Sequence, residues 1–164
     1  MTFWQDLFSN YIIFILMIAW LVAQVLKFFI HLLVEREFRI ERIFGDGGMP
    51  SAHSATVSSL VVMCGWSVGV GSAVFAVSLI LAIIVMHDAT GVRREAGKQA
   101  TAVKQLADVF NAMFLEKDEA IRTEKLKEFI GHTPLQVFFG SIVGIIVAII
   151  CISILKLPYA GIII

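Results

Sequence analysis

The sequence predicts an all-α integral membrane protein, a bundle of about four transmembrane helices with a cytoplasmic amphipathic helical hairpin. Of its 164 residues, 59% are hydrophobic and only 16% are charged, with a mean hydropathy of +0.88. These values lie outside the range of soluble proteins. Four apolar runs and one long polar stretch fit a single membrane domain over residues 1–164. The formal net charge of zero indicates no nucleic-acid partner.

The four apolar runs cover about 11–34, 54–70, 72–86 and 135–155. A helix needs about 20 residues to cross the hydrocarbon core. The first run lacks a basic n-region and a small-residue cleavage site, so we interpret it as a retained anchor. The uncharged "GVGS" joins the second and third runs into a tight hairpin. The fourth ends in "KLPY", where Lys156 and Tyr159 suit an interface and Pro158 ends the helix.

Small residues predict close helix packing. Gly140 and Gly144 form a small-xxx-small row in the fourth run, and Gly65 and Gly69 form another in the second. Four spans make a small core, which is compatible with a homodimer.

The polar insertion, about 88–133, is predicted to be helical. Apolar residues recur there at steps of four and three, which gives one stripe on an amphipathic helix. They are Ala96, Ala100, Val103, Ala107, Phe110 and Phe114. A second, shorter helix is predicted over about 118–130, ending at Gly131.

The basic residues predict the orientation. Four spans place the segment after span one and the polar insertion on the same face, which carries eleven of the 13 Lys and Arg residues. The positive-inside rule then puts this face in the cytoplasm and both termini outside. All four histidines lie on or near the same face: His31, His53, His87 and His132.

The stretch "GGMPSAHSA", Gly47 to Ala55, predicts an anion site at a helix start. If Pro50 is the first helical residue, Met49 is the N-cap and cannot accept hydrogen bonds from the first amides. Open amides beside Gly48 would then face a phosphate, with a hydroxyl donor from Ser51 and with His53 one turn in. The alternative is an ordinary loop-to-helix turn with an incidental histidine.

Three polar residues of span one, Gln24, Lys27 and His31, are spaced three and four apart and share one stripe. A lysine at the centre of a span costs about 2.5 to 3.5 kcal/mol, so even a shallow one favours a partner. The alternative for Lys27 is snorkelling to the interface.

At the exit of span three, "HDATGVRREAGKQA" contains Arg93 and Arg94 after a glycine turn. Paired arginines suit phosphate oxygens, although basic residues at this position are also ordinary cytoplasmic flanks. Asp88 could pair with one of them or orient a histidine.

The segment "GHTPLQVFFGSIVG", Gly131 to Gly144, places His132 before another helix start. Thr133 and Gln136 match a capping box, which is a complete structural role for Gln136. Alternatively, if the helix extends to residue 132, His132 and Gln136 are one turn apart and Gln136 could hold the imidazole in one tautomer.

These three motifs, in this order, together with the stripe from Gln24, resemble the divergent branch of the type 2 phosphatidic acid phosphatase and vanadium haloperoxidase superfamily. The resemblance covers most of the chain from Gln24 to Gly144. It implies a metal-independent phosphohydrolase that acts through a phosphohistidine, with no cofactor. The roles it implies are a nucleophile (His132), an acid (His53), phosphate donors (Ser51 and the Ala52 amide) and a cationic clamp (Lys27 with Arg93 or Arg94).

The chain departs from the superfamily pattern at four places. Lys27 is followed by "FFIHLLVE" rather than by Arg-Pro after six residues, and Ala52 replaces the usual glycine. Leu126 and Gln136 stand where the pattern has Arg and Asp. A neutral Gln136 fixes a tautomer but does not stabilise an imidazolium as a carboxylate does, although Asp88 could supply that charge.

The function predicted from these features is hydrolysis of a membrane lipid or isoprenoid monophosphate or diphosphate at the cytoplasmic mouth of the bundle. The alternative is a catalytically inactive membrane protein that binds or transports a lipid phosphate or another anion. The expected partners are the bilayer and this phosphorylated lipid. Cys64 and Cys151 fall within apolar runs and are predicted to pack as small hydrophobes rather than to bind metal.

Overall fold

The computed structural model describes residues 2–35, 48–114 and 132–159, with the backbone alone at 34, 35, 92–94 and 114. The described chain is helical, which confirms the all-α class. Its helices are α1 (Phe3–Ser9), α2 (Tyr11–Glu35), α3 (Ala52–Val68), α4 (Ala73–Thr90), α5 (Val92–Phe114) and α6 (Pro134–Leu155). The predicted helix over about 118–130 and its end at Gly131 lie outside the described residues.

Three segments of the described chain are long and apolar enough to cross a membrane. They are Tyr11–Leu33, a run over Ala73–Met113 that joins α4 to α5, and Pro134–Leu155. Helix α3 has 17 residues, which at the α-helical rise gives about 25 Å, less than the roughly 30 Å of a hydrocarbon core. The fourth span therefore stays a prediction.

Helix α3 is the centre of the bundle and contacts α2, α4 and α6. At one end, Ala23 of α2 clusters with Ala52 and Ala55 of α3. At the other end, Ile15 of α2 clusters with Met63 of α3. Helix α2 therefore runs antiparallel to α3. Most buried residues of α3 are alanine, serine or glycine, and such small side chains let neighbouring helix backbones approach closely.

Two glycines of α6 make its packing against α3 very tight. A Cβ atom at Gly140 would collide with the backbone oxygen of Ser51, and one at Gly144 with that of Ala55. The small-xxx-small prediction for α6 is confirmed, and the register shows that α6 runs parallel to α3. For α3 the predicted small-xxx-small row is right at Gly65 and wrong at Gly69. Gly65 is buried, but Gly69 lies after the helix at φ +89, where it ends α3 instead of continuing the row.

Aromatic residues close the end of the bundle where α3 and α6 finish. The indole Nε1 of Trp66 donates to the backbone oxygen of Leu157 at 3.1 Å, and its ring lies 4.9 Å from that of Tyr159. The Tyr11 hydroxyl donates to Ser67 Oγ at 3.0 Å. Tyrosine and tryptophan in such positions are typical of a membrane–water boundary. The polar motifs lie at the other end.

Candidate anion site at two helix starts

Helices α3 and α6 both begin at the end of the bundle opposite the aromatic cluster. Their first turns are joined directly, because the backbone N–H of Ser51 donates to the backbone oxygen of Gln136 at 3.0 Å. Each helix start carries the partial positive charge of its macrodipole. Two parallel starts side by side therefore favour a negative group near this end of the bundle.

The start of α3 differs from the prediction. Helix α3 begins at Ala52 and its N-cap is Ser51, so the assignment of Pro50 as first helical residue and Met49 as N-cap is wrong. Ser51 Oγ accepts hydrogen bonds from the backbone N–H of Ser54 at 3.3 Å and from its hydroxyl at 3.0 Å. Serine is a preferred cap because its hydroxyl satisfies one of the otherwise unpaired first amides.

The corrected N-cap changes which hydrogen-bond donors of the α3 start can bind an anion. Ser51 has no exposed surface, so its observed role is to hold the first turn of α3. The phosphate-donor role of Ser51 stays a prediction. The N–H groups of Ala52 and His53 have no hydrogen-bond partner among the described residues, and the first amides of a helix are suited to an anion.

The start of α6 holds the second histidine. His132 is buried, with 6% of its surface exposed, and its Nδ1 lies 3.1 Å from Oε1 of Gln136. The same oxygen accepts the backbone N–H of Thr133 at 3.1 Å, which completes the predicted capping box. The contact that the tautomer role of Gln136 requires is therefore present beside the capping box, although α6 begins at Pro134 and does not include His132.

This contact indicates which tautomer a neutral His132 adopts. The Thr133 N–H can only donate, so the Gln136 atom that faces it is the carbonyl oxygen, and His132 can hydrogen-bond that oxygen only when Nδ1 carries a proton. With the proton on Nδ1, the lone pair of the ring lies on Nε2. Nε2 is then the atom of His132 that can act as a base or a nucleophile.

The two predicted catalytic histidines lie next to each other. His53, the second residue of α3, is exposed, and its ring centroid lies 6.2 Å from that of His132 with an angle of 58° between the planes. They are 79 positions apart in the sequence and come from different helices. The rings are close enough to contact one small group from two sides.

Lys27 lies in the bundle at the same end. Its side chain is 6% exposed, and the aliphatic stem packs under Gly48, where an added Cβ would lie 3.1 Å from Lys27 Cγ. Gly48 also has φ +86, a conformation that favours glycine. Gln24, one turn earlier, is buried, and its Oε1 has no hydrogen-bond partner among the described residues. Burial of Lys27 favours a role inside the protein over snorkelling.

Comparisons with known proteins agree with this arrangement of motifs. The family described as the divergent PAP2 family matches residues 8–147. The chain belongs to this family. The uncharacterized membrane protein YuiD of Bacillus subtilis (strain 168) is 41% identical over 152 residues, which cover 89% of this chain and 96% of that protein. No solved structure matches the chain. The family and this relative support an integral membrane protein related to PAP2.

The remaining predicted site residues of this family member lie at the end of α4 and at the start of α5. The backbone oxygen of Ala89 accepts the N–H of His132 at 3.0 Å, which brings the end of α4 to the site. Asp88 is the preceding residue and is half-buried. Arg93 and Arg94 lie in the first turn of α5, after Gly91, and their side chains are outside the described part of the chain.

Sequence reasoning missed the backbone contacts that assemble the site. The bonds from Ser51 to Gln136 and from His132 to Ala89 use main-chain groups, which every residue carries, so no residue type signals them. Ser54 was also missed as the partner of Ser51. A serine three residues before an amide that needs capping was the available signal. No group of three or more His, Cys, Asp or Glu residues suited to a metal ion occurs among the described residues.

Proposed function

We propose that the protein is a metal-independent phosphohydrolase that cleaves a membrane lipid or isoprenoid monophosphate or diphosphate through a phosphohistidine. The observation that carries this proposal is the His53–His132 pair, with ring centroids 6.2 Å apart at two joined helix starts. Membership of the divergent PAP2 family supports the same chemistry.

In the first step, His132 Nε2 attacks phosphorus. The new bond is N–P, and the bond that breaks joins phosphorus to the oxygen of the lipid. Protonated His53 gives its proton to that oxygen, which leaves as an alcohol or, from a diphosphate, as a phosphate. Gln136 supports this step because an Nδ1 proton donated to its Oε1 places the lone pair of the neutral ring on Nε2.

In the second step, water attacks the phosphohistidine. His53, now neutral, takes a proton from the water, the N–P bond breaks and inorganic phosphate is released. Both imidazoles then return to their starting protonation states. The exposure of His53 suits this role, because a group that works as acid and then as base must be reached by water.

Electrostatic stabilisation of the phosphate oxygens would come from donors and cations that we assign to the same site. These are the amides of Ala52 and His53, the ammonium of Lys27 and the guanidinium of Arg93 or Arg94. Preorganised donors of this kind stabilise the charge that develops in the transition state. Asp88 is assigned to orienting an arginine or a histidine. The apolar tail of the substrate would lie among the spans.

A second candidate function is binding or transport of a lipid phosphate without hydrolysis. One observation favours it: the partner of His132 Nδ1 is the neutral Gln136. A carboxylate there would stabilise the imidazolium that forms during attack, and a carboxamide does so less. The binding groups are the same in both candidates.

Purified protein in detergent separates the two functions. It is offered a panel of lipid and isoprenoid phosphates, and phosphate release and ligand binding are measured with and without vanadate and EDTA. Hydrolysis should be inhibited by vanadate and insensitive to EDTA. Binding without release in the wild type would reject the enzyme and leave the binding protein, and strong inhibition by EDTA would reject the metal-independent mechanism.

We also propose that the site faces the cytoplasm and that both termini lie outside. A C-terminal reporter that is active only in the cytoplasm should be silent, whereas the same reporter inserted between Glu37 and Gly45 should be active. The reverse pattern would overturn this orientation. The excess of Lys and Arg on the site face supports it.

A further inference from the structure

Helix α5 presents an apolar side to its surroundings. Val103, Leu106, Val109 and Met113 are 54%, 71%, 52% and 71% exposed. They are spaced three, three and four residues apart, so they share one side of the helix. The side that is better covered by the protein has small or polar residues: Gly97 is buried, and Ala100, Thr101, Lys104, Ala107 and Asn111 are half-buried.

This arrangement is the reverse of that in a soluble amphipathic helix. In water, the apolar side packs on the protein and the polar side faces the solvent. Four exposed large side chains on α5 would cost roughly 25 cal/mol for each Å² left in water. An apolar environment outside the described bundle removes that cost.

The position of α5 identifies this environment. One residue, Gly91, separates α5 from α4, and its φ of -99 and ψ of -92 interrupt the helical backbone. Hydrogen bonds from the Gly91 N–H to His87 and from the Glu95 N–H to Gly91 flank this break. Helix α4 belongs to an apolar run long enough to span the bilayer and exposes Val77, Ile80 and Ile84. The apolar side of α5 therefore continues a lipid-facing surface.

We propose that α5 lies in the membrane interface, with Val103, Leu106, Val109 and Met113 in contact with the acyl chains. An apolar side opposite a polar one, at low overall hydrophobicity, is typical of helices that lie in the plane of the interface. The polar insertion would then begin as a part of the membrane domain rather than as a hairpin in the cytoplasm. This proposal is independent of whether the site hydrolyses a substrate.

Single-cysteine labelling in lipid vesicles tests the proposal. In a background with Cys64→Ala and Cys151→Ala, an environment-sensitive fluorophore is attached at Leu106→Cys, at Met113→Cys and, as the control on the polar side, at Asp108→Cys. Quenching by spin-labelled acyl chains and by aqueous iodide is then measured. We expect the labels at 106 and 113 to be quenched several-fold more by the lipid and less by iodide than the label at 108.

Two results would overturn the proposal. Equal iodide quenching at all three positions would place the apolar side in water. Protection of the labels at 106 and 113 from both quenchers, with a bifunctional thiol reagent joining two Leu106→Cys chains, would assign the surface to a second copy of the protein. Comparison of circular dichroism spectra with that of the parent protein checks that each variant is folded.

Discussion

The starts of α3 and α6 use the same capping chemistry but hold their histidines differently. His132 precedes the cap of α6, is buried and is fixed by Gln136 through Nδ1. His53 follows the cap of α3 as its second residue and is exposed. A fixed imidazole suits a nucleophile that must meet phosphorus in one orientation. An exposed one suits a group that exchanges protons with water.

The largest expected effect comes from replacing either histidine. The two variants should differ in how their activity depends on the leaving group. His132→Ala removes the nucleophile and should lower turnover of all phosphate esters by roughly 10⁴-fold or more. His53→Ala should cost about 10²- to 10⁴-fold with a lipid alcohol as leaving group, because the general acid is lost. With an aryl phosphate, whose leaving group needs no proton, His53→Ala should still release one equivalent of phenol in a burst.

Rapid-mixing absorbance measurements detect this burst, and the phosphorylated protein is recovered by mass spectrometry. An aryl burst from His132→Ala, or none from either variant while the wild type shows one, would contradict the assignment of His132 as nucleophile and His53 as acid.

The close packing of α6 on α3 gives the next effect. Gly144→Ala adds a Cβ that collides with the backbone of Ala55, so α3 and α6 must move apart. Overpacking of this kind costs about 1–3 kcal/mol. Gly71→Ala is the matched control, because an added Cβ there meets no atom within 4 Å. Thermal unfolding in detergent should show a clearly lower midpoint for Gly144→Ala and little change for Gly71→Ala.

Equal midpoints for the two glycine variants would mean that α3 and α6 are not in the close contact described. The two histidines would then lack the rigid base that the comparison between the helix starts assumes.

Gln136 tests how much the fixed orientation of His132 contributes. Gln136→Leu removes the acceptor for Nδ1 and should lower turnover by about 10- to 100-fold, as loss of the partner that orients a histidine does at metal sites. Gln136→Glu retains the capping box and adds a carboxylate beside the imidazole. It should raise kcat by up to about tenfold, because the imidazolium is stabilised. Steady-state kinetics on both variants give the values, and a Glu variant no faster than Leu would exclude this role.

Much of this comparison was predictable from side-chain spacing. The four-residue interval between His132 and Gln136 predicts their contact. The glycines Gly140 and Gly144 predict the side of α6 on which another helix packs closely. The glycine row depends on a period within one helix, whereas His132 precedes the cap of α6 and reaches Gln136 from outside the helix. The nearness of His53 to His132 does not follow from any period, and it was predicted from the resemblance to a family.

The start of α3 shows why the rest was harder to predict. Proline suits the first helical position, which favoured Pro50, but proline is also common outside a helix. The choice between Met49 and Ser51 as cap is decided by packing. Ser51 is completely buried, and its backbone N–H bonds to Gln136 of another helix. Local sequence carries no information about that neighbour.

The smallest expected effect compares the two caps themselves. Thr133→Ala removes one exposed hydrogen bond, in which Thr133 Oγ1 accepts the N–H of Gln136 at 3.3 Å. It should lower the free energy of unfolding by about 0.5–1 kcal/mol. Ser51→Ala leaves both the amide and the hydroxyl of the buried Ser54 without their acceptor, and should cost about 1–2 kcal/mol.

Thermal unfolding in detergent measures both cap variants, and Thr133→Ser, which retains the cap oxygen, is the control. A larger loss for Thr133→Ala than for Ser51→Ala would contradict the burial of the α3 start. Equal losses would mean that water reaches Ser54 once the cap is gone. The first amides of α3 would then be accessible from the same side as His53, as an anion at this helix start requires.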